Sequence, residues 1–234
     1  MKLLATGNNA KTILSDAMGE YLTGILYLAP ADLSGYQVCP HAKLAGCAEA
    51  CLNTAGRGAF NNVQAARIRK TRMFFEAREA FMLQLEKDII ALIKKAAKLS
   101  VRPAVRLNGT SDIRWERVPF GEYANIMARF PEVQFYDYTK NNTRSHLPAN
   151  YHLTWSFSNA SERYAAGMHK ARDNGQNVAV VFRKEELPSV FCGIEVIDGT
   201  THDLRFTDKA GVIVGLCAKG KAKRDTTGFV VDAA

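Results

Sequence analysis

Three of the five cysteines in this 234-residue chain, Cys39, Cys47 and Cys51, fall within thirteen residues in the spacing C-x7-C-x3-C. Thiolates are the ligands that iron–sulfur clusters and zinc both favour. Crowding three of five cysteines into one short stretch points to a shared metal or cluster; the competing reading is three small buried hydrophobes. Cys47 and Cys51 stand four residues apart, so a helical turn beginning near Ala48 would project both sulfurs from one face. Cys39 then reaches back from the preceding loop to complete a three-point claw, and Pro40 biases it toward an extended backbone.

A structural zinc site takes four ligands and commonly uses C-x2-C pairs, which this chain lacks. His41 lies two residues from Cys39 in a tight loop. Three thiolates suit a [4Fe-4S] cluster whose fourth iron is open or ligated from elsewhere. Cys192 and Cys217 are the remote thiols; Cys192 also reads as structural and Cys217 as an ordinary strand residue, and Cys217 ends an apolar run that would aim it toward the same rim. An odd cysteine count in a chain this long argues against disulfide stapling and for a reducing compartment.

Apolar, β-branched and aromatic runs alternate with helical patterns, the mark of βα units and a mainly parallel sheet. Strands are expected at about 24–29, 104–107, 133–138, 151–158 and 178–182. The cysteines then sit in the loop after the first strand. A helical region follows over about 62–99, in which Phe75, Met82, Leu85, Ile89, Leu92, Ile93 and Ala96 recur at spacings of three and four as one core-facing stripe. Nearly forty residues is long for a globular helix, so a break is expected, with Asn61 or Asn62 capping the start. A short helix is expected near 121–129, and another to about Asp173, capped by Ser158 or Asn159. Beyond 190 only short extended pieces fit, at 194–198, 203–206 and 212–217. With no repeat, linker or composition shift, residues 1–234 read as one domain, a partial or distorted TIM-like βα barrel with short strands and hairpins at its C-terminal end.

Function in such a fold collects where the parallel strands end. Asn108, Thr110 and Asp112 follow the second strand, Asp137, Thr139 and Lys140 the third, and Ser156, Ser158 and Asn159 the fourth. Each is also an ordinary turn or cap residue. Arg57, between Gly56 and Gly58, could offer a guanidinium to an anion.

The net charge is +8, and the densest basic run is 219–224, with Lys219 and Lys221 placed to offset an anionic cluster or substrate. Nucleic acid is a further partner for such a run, although no helix-turn-helix or finger motif accompanies it. His146, His152, His169 and His202 share no metal spacing. Apolar runs stay under ten residues, too short to span a bilayer, so no membrane partner is expected. The start lacks the hydrophobic region of a secretory signal. Walker, nucleophile-elbow and dinucleotide motifs are absent.

The strings 39–42 (CPHA) and 51–58 (CLNTAGRG) around Cys47, then 107–112 (LNGTSD), 135–140 (FYDYTK), 156–158 (SFS) and 215–222 (GLCAKGKA), resemble a bacteriophage protein family named after a mycobacteriophage gene product. The likeness spans nearly the whole chain and implies a phage origin, hence the host cytoplasm, without implying a reaction. A second likeness is architectural. Radical S-adenosylmethionine enzymes also carry three cluster cysteines after the first strand of a partial βα barrel, spaced C-x3-C-x2-C instead. It implies S-adenosylmethionine as a second cofactor, with the 108–112 turn as counterpart of the one that holds its amino group.

The sequence thus leads to a phage iron–sulfur protein with Cys39, Cys47 and Cys51 on a [4Fe-4S] cluster. Cofactor or ligand contacts are expected from Asn108, Thr110, Asp112, Ser156, Ser158 and Lys219, and the chemistry would be radical or Lewis-acid work on a small or anionic molecule. The alternative is a cluster- or zinc-stabilised binding module that contacts nucleic acid or a partner protein.

Overall fold

The computed structural model describes residues 1–7, 19–184 and 186–232. Ten strands form in chain order: β1 (Leu4–Thr6), β2 (Tyr21–Leu26), β3 (Arg102–Arg106), β4 (Gln134–Thr139), β5 (Tyr151–Ser156), β6 (Val178–Phe182), β7 (Val190–Phe191), β8 (Ile194–Asp198), β9 (Ile213–Cys217) and β10 (Val230–Val231). They lie in the order β1-β2-β3-β4-β5-β6-β9-β8-β7, with β10 on β6. Every neighbouring pair from β2 to β6 and on through β9 to β8 is parallel, so these strands all end at one rim. Antiparallel β1 and β7 flank the two ends. Among the described residues no pairing joins those ends, so the sheet is open. The late hairpin expected from the sequence is β7–β8. The short β1, β7 and β10 carry too few residues to show a period.

The helical region does divide, into α1 (Asn61–Glu76) and α2 (Arg78–Lys98), at Ala77 with φ −139° and ψ 56°. The expected cap does not form. Asn61 is already helical, Phe60 holds the cap position, and no side chain caps it. The helix expected near 121–129 is confined to α3 (Ile126–Arg129), where the Asn125 side chain accepts from Ala128 N at 2.9 Å. After β5 the cap is Ser161 and not Ser158 or Asn159; α4 (Glu162–Ala165) and α5 (Gly167–Asp173) follow it.

One face of the sheet is apolar and carries the helices. Leu22, Leu26, Val105, Leu107, Phe135 and Leu153 pack with Met82, Leu85, Ile89 and Leu92 of α2 in one buried core. Each such side chain stabilises the fold by about 1.5–3 kcal/mol. Alternation along the strands sends Thr23, Arg106, Tyr136, Tyr138, His152 and Thr154 to the opposite face, with Tyr136 beside His152 and Tyr138 beside Thr154 across the β4–β5 ladder. The stretch 203–208 covers part of that face. It contains a 3-10 turn at Arg205–Thr207 where an extended piece was expected. Asp203 pairs with Arg106 at 2.7 Å, and Phe206 meets the rings of Tyr21 and Tyr136 at 4.9 and 5.3 Å.

Candidate metal centre at the strand ends

The loop from Tyr27 to Phe60 leaves β2, runs over the rim and enters α1, and the ends of the other strands hold it down. Asp112 N, after β3, donates to Val38 O at 2.8 Å, and the Cys39 thiol donates to Thr110 O at 3.7 Å. Ser158, after β5, donates its hydroxyl to Ala45 O at 2.7 Å. From the C-terminal segment, the Thr227 hydroxyl donates to Gly46 O at 2.9 Å and Lys221 N to Thr54 Oγ1 at 3.4 Å. Gly46 has φ +67°, and a Cβ there would lie 2.3 Å from Thr227 Oγ1, so glycine is required twice over. The helical turn expected between Cys47 and Cys51 is not present. Residues 40–50 form successive turns, and Cys51 instead caps the 3-10 turn Leu52–Thr54, accepting from Asn53 N at 3.5 Å.

All three thiols are half-buried, and all five cysteines are free. Burial pushes the Cys39 thiol up to about 12; proximity to Cys51, Asp112 and Cys47 pushes in the same direction, against a backbone hydrogen bond at Ala31. Burial also raises Cys47, which Lys140 pulls back down. Cys51 is raised by burial and by Cys47, and lowered by the Asn53 N–H and by Arg67. Cys47 and Cys51 both act on Cys39, and Cys47 acts on Cys51, as groups in one neighbourhood do. Among the described residues no group of three or more His, Cys, Asp or Glu side chains is arranged to hold a metal ion.

Two cations stand beside them. Half-buried Lys140 donates from Nζ to Ser156 O at 3.1 Å and Phe157 O at 3.0 Å, and Nζ lies 4.3 Å from the Phe229 ring centroid. Burial draws its pKa down to about 8, against the pull of Cys47 and Asp112. Arg67 of α1 is buried, donates from Nη1 to Asn53 Oδ1, and stacks over Tyr27 at 5.0 Å. Among the described residues neither forms an ion pair with a carboxylate.

The expected rim residues do gather here, with different tasks. Asn108 is buried; its Oδ1 accepts from Ser111 Oγ, Ile113 N and Trp115 Nε1, which builds the turn after β3. Thr110 donates its hydroxyl to Leu28 O at 2.5 Å. Asp112 accepts from Thr139 Oγ1 and Lys140 N, both at 2.8 Å, and pairs with Arg144 at 3.3 Å. The Ser156 carbonyl receives Lys140 and the Tyr164 hydroxyl. Lys219 and Arg57 are exposed. Cys192 is exposed, and Cys217 shares the face of Phe182, its register partner. Buried Asp137 accepts from Asn108 N at 2.7 Å and the Tyr151 hydroxyl at 2.8 Å; burial still raises its pKa to about 7.

Sequence reasoning passed over Arg67, Arg144 and Glu116. Arg67 could have been found by its spacing from Gln64 and Thr71, which puts all three on the face of α1 turned to the cysteine loop: Gln64 Nε2 donates to Asn53 O at 2.9 Å, and the Thr71 hydroxyl accepts from Ala29 N at 2.8 Å. Arg144 lies in an irregular segment and Glu116 in the short 3-10 turn Trp115–Arg117, and neither carries such a signal.

These features define an α/β protein with a ten-stranded, largely parallel sheet among the described residues and three free, half-buried cysteines in the loop over its strand ends. The chain belongs to the gene product 88 family, whose model matches residues 2–233, a name that fits a bacteriophage origin. No curated protein and no solved structure matches it. Among the described residues no helix is long and apolar enough to cross a membrane.

Proposed function

We propose that this protein is a phage iron–sulfur protein, a partial βα barrel whose Cys39, Cys47 and Cys51 ligate a [4Fe-4S] cluster in the reducing cytoplasm of the host. The observation that carries the reading is three free, half-buried thiols in the one loop that the strand ends hold down, with the Cys39 thiol on Thr110 O and the Cys51 sulfur on Asn53 N. The donor set fits a cluster in type and number. A cubane's ligands bind separate irons, so they need to surround a volume and not meet at a point as zinc ligands do. When bound, the cluster would supply one-electron or Lewis-acid chemistry at its open iron.

The protein's own groups have definable parts. Asn53 N–H donates to the Cys51 sulfur, the kind of contact that tunes a cluster. The loop anchors at Ser158, Thr227 and Asp112 fix the spacing of the thiols. Lys140 can hold or release a proton near neutral pH at its Nζ, beside Cys47. A small anionic molecule would approach through the exposed basic residues Lys219 and Arg57; S-adenosylmethionine, a net cation, would not be steered by them.

Anaerobic reconstitution with iron and sulfide tests this: the account predicts a brown protein with about four irons per chain. A colourless, iron-free, zinc-loaded protein would favour the zinc-stabilised binding module, in contact with nucleic acid or a partner protein. Addition of S-adenosylmethionine and dithionite to the loaded protein separates enzyme from module, because release of 5′-deoxyadenosine occurs only with radical chemistry.

A further inference from the structure

Past the end of β9 the chain makes the 3-10 turn Gly220–Arg224, with Lys219 at its cap position. Two small residues decide which way this turn faces. Ala218 and Ala222 are buried in one cluster with Ala50 and Val230, and the basic side chains of Lys219, Lys221 and Arg224 are left on the exposed side. Arg183 braces the backbone of the turn, donating Nη1 to Lys223 O at 3.2 Å and Nη2 to Asp225 O at 2.8 Å. The turn lies against the cysteine loop. Lys221 N donates to Thr54 Oγ1 at 3.4 Å, and a Cβ on Gly220, which has φ +57°, would come within 2.9 Å of Ala55 Cβ. The two short turns met there, Leu52–Thr54 and Gly56–Ala59, also carry exposed Arg57 and end at Phe60. Leu52 is 54% and Phe60 59% exposed. Among the described residues none of Arg57, Lys219, Lys221 and Arg224 forms an ion pair. Asp225, the carboxylate next to the turn, is buried and accepts from the Thr227 hydroxyl at 2.7 Å and Val230 N at 3.0 Å.

We propose that this face binds single-stranded nucleic acid, with Arg57, Lys219, Lys221 and Arg224 on the phosphates and the Phe60 ring as a platform on which a base stacks. Charge complementarity is the first argument. Four exposed cations without carboxylate partners repel one another, and a run of phosphates answers all of them while releasing its own counterions. The exposed ring is the second: a single strand offers the faces of its bases to an aromatic side chain, whereas a duplex keeps them stacked on each other. The inference needs no metal in the cysteine loop, so it stands or falls apart from the cluster reading. A second basic group supplies the contrast. Lys94, Lys95 and Lys98 are also exposed and, among the described residues, form no ion pair. They lie at the end of α2 that leads into β3, whereas 219–224 leave the end of β9, so the two groups sit at opposite ends of the parallel strands. No aromatic residue occurs in 94–101.

The test is the fluorescence anisotropy of a labelled oligothymidylate of about fifteen nucleotides, titrated with the full chain over a range of salt. Wild type is expected to bind with a slope of log affinity against log salt of about −3, from about −0.7 for each of four cations. It is expected to bind a duplex of the same length more weakly. The triple variant Lys219→Gln, Lys221→Gln, Arg224→Gln should flatten the slope by about two and lower affinity at least about tenfold at low salt. The matched triple variant Lys94→Gln, Lys95→Gln, Lys98→Gln removes the same charge from the other end and should keep the wild-type slope and affinity. Phe60→Ala should weaken binding about tenfold at unchanged slope, and Phe60→Trp should restore it. Equal losses in the two triple variants would mean attraction by net charge alone and would overturn the proposal. So would a wild type that does not bind, one that prefers the duplex, or a Phe60→Ala variant equal to wild type. Displacement of the strand by polyglutamate or by phosphatidylserine vesicles as readily as by unlabelled strand, at equal charge, would overturn it in favour of an acidic protein or a membrane surface. Should the first triple variant not fold, its three single variants decide: each is expected to flatten the slope by about 0.7, and unchanged slopes overturn the proposal.

Discussion

Two buried clusters of charge stand side by side at the rim, and they are built on opposite plans. In one, Arg144 is fully buried and answered on every side. Glu116 takes its Nη2 at 2.6 Å and its Nε at 3.1 Å, Asp112 takes Nη1 at 3.3 Å, and the Tyr151 hydroxyl completes the set at 3.0 Å. These partners hold the guanidinium firmly in its charged form. In the other, Arg67 acts on Cys51 and Lys140 on Cys47, thiols that burial keeps neutral, and among the described residues neither cation forms an ion pair with a carboxylate. The first cluster is complete as it stands and ties the turn after β3 to the 140–150 loop. The second becomes balanced only when the thiols lose their protons, which is what a metal centre makes them do.

Substitution should separate the two plans cleanly. Arg144→Met takes from Asp112 its ion-pair partner and leaves Glu116 with only the longer contact to Arg114 at 3.4 Å, and we expect it to lower unfolding free energy by about 3–5 kcal/mol in denaturant titrations. The comparison fails if that variant is as stable as wild type.

Alkaline pH probes the other side. The Cys39 thiol keeps its proton in the fold up to about pH 12, against an ordinary value of 9.0. The unfolded chain therefore gives up that proton first. The stabilising contribution is whole below pH 9, and in the metal-free protein it is lost as pH climbs from about 9 to about 12. Metal binding releases the same proton, so metal affinity should rise over that window. Melting curves and metal titrations against pH check the two opposed slopes, and parallel slopes would contradict the assignment.

The smallest effect on stability belongs to Lys140→Met. Its charge is disfavoured by burial already, so metal-free stability should change by less than about 1 kcal/mol, while retention of the metal group falls. A loss as large as that of Arg144→Met would place Lys140 in the structural class instead.

The reach of the sequence differs between these regions for physical reasons. The strands from β3 to β6 and the stripe Met82, Leu85, Ile89, Leu92 and Ala96 are legible because one apolar face imposes a period, whereas the first parallel strand, expected at about 24–29, lies at Tyr21–Leu26. The cysteine loop is legible by residue type alone. Its conformation is not, because Gly46 takes its geometry from a partner as distant as Thr227. Neither could the position of β9, between β6 and β8, be read from chain order. Asn108 and Ser158 mark the rim as their polarity suggests, but they spend their hydrogen bonds on the turn and on Ala45. Whether an arginine such as Arg67 is answered or unanswered is a property of its neighbours in space, which no local pattern records.

The measurement closest to the central claim is iron and sulfide content across five single variants, reconstituted anaerobically alongside wild type. The account predicts that Cys39→Ala, Cys47→Ala and Cys51→Ala each lose the cluster, while Cys192→Ala keeps the full complement and Cys217→Ala, whose thiol shares the face of Phe182, keeps it as well. Full iron content in any of the first three, or none in the wild type, would contradict it.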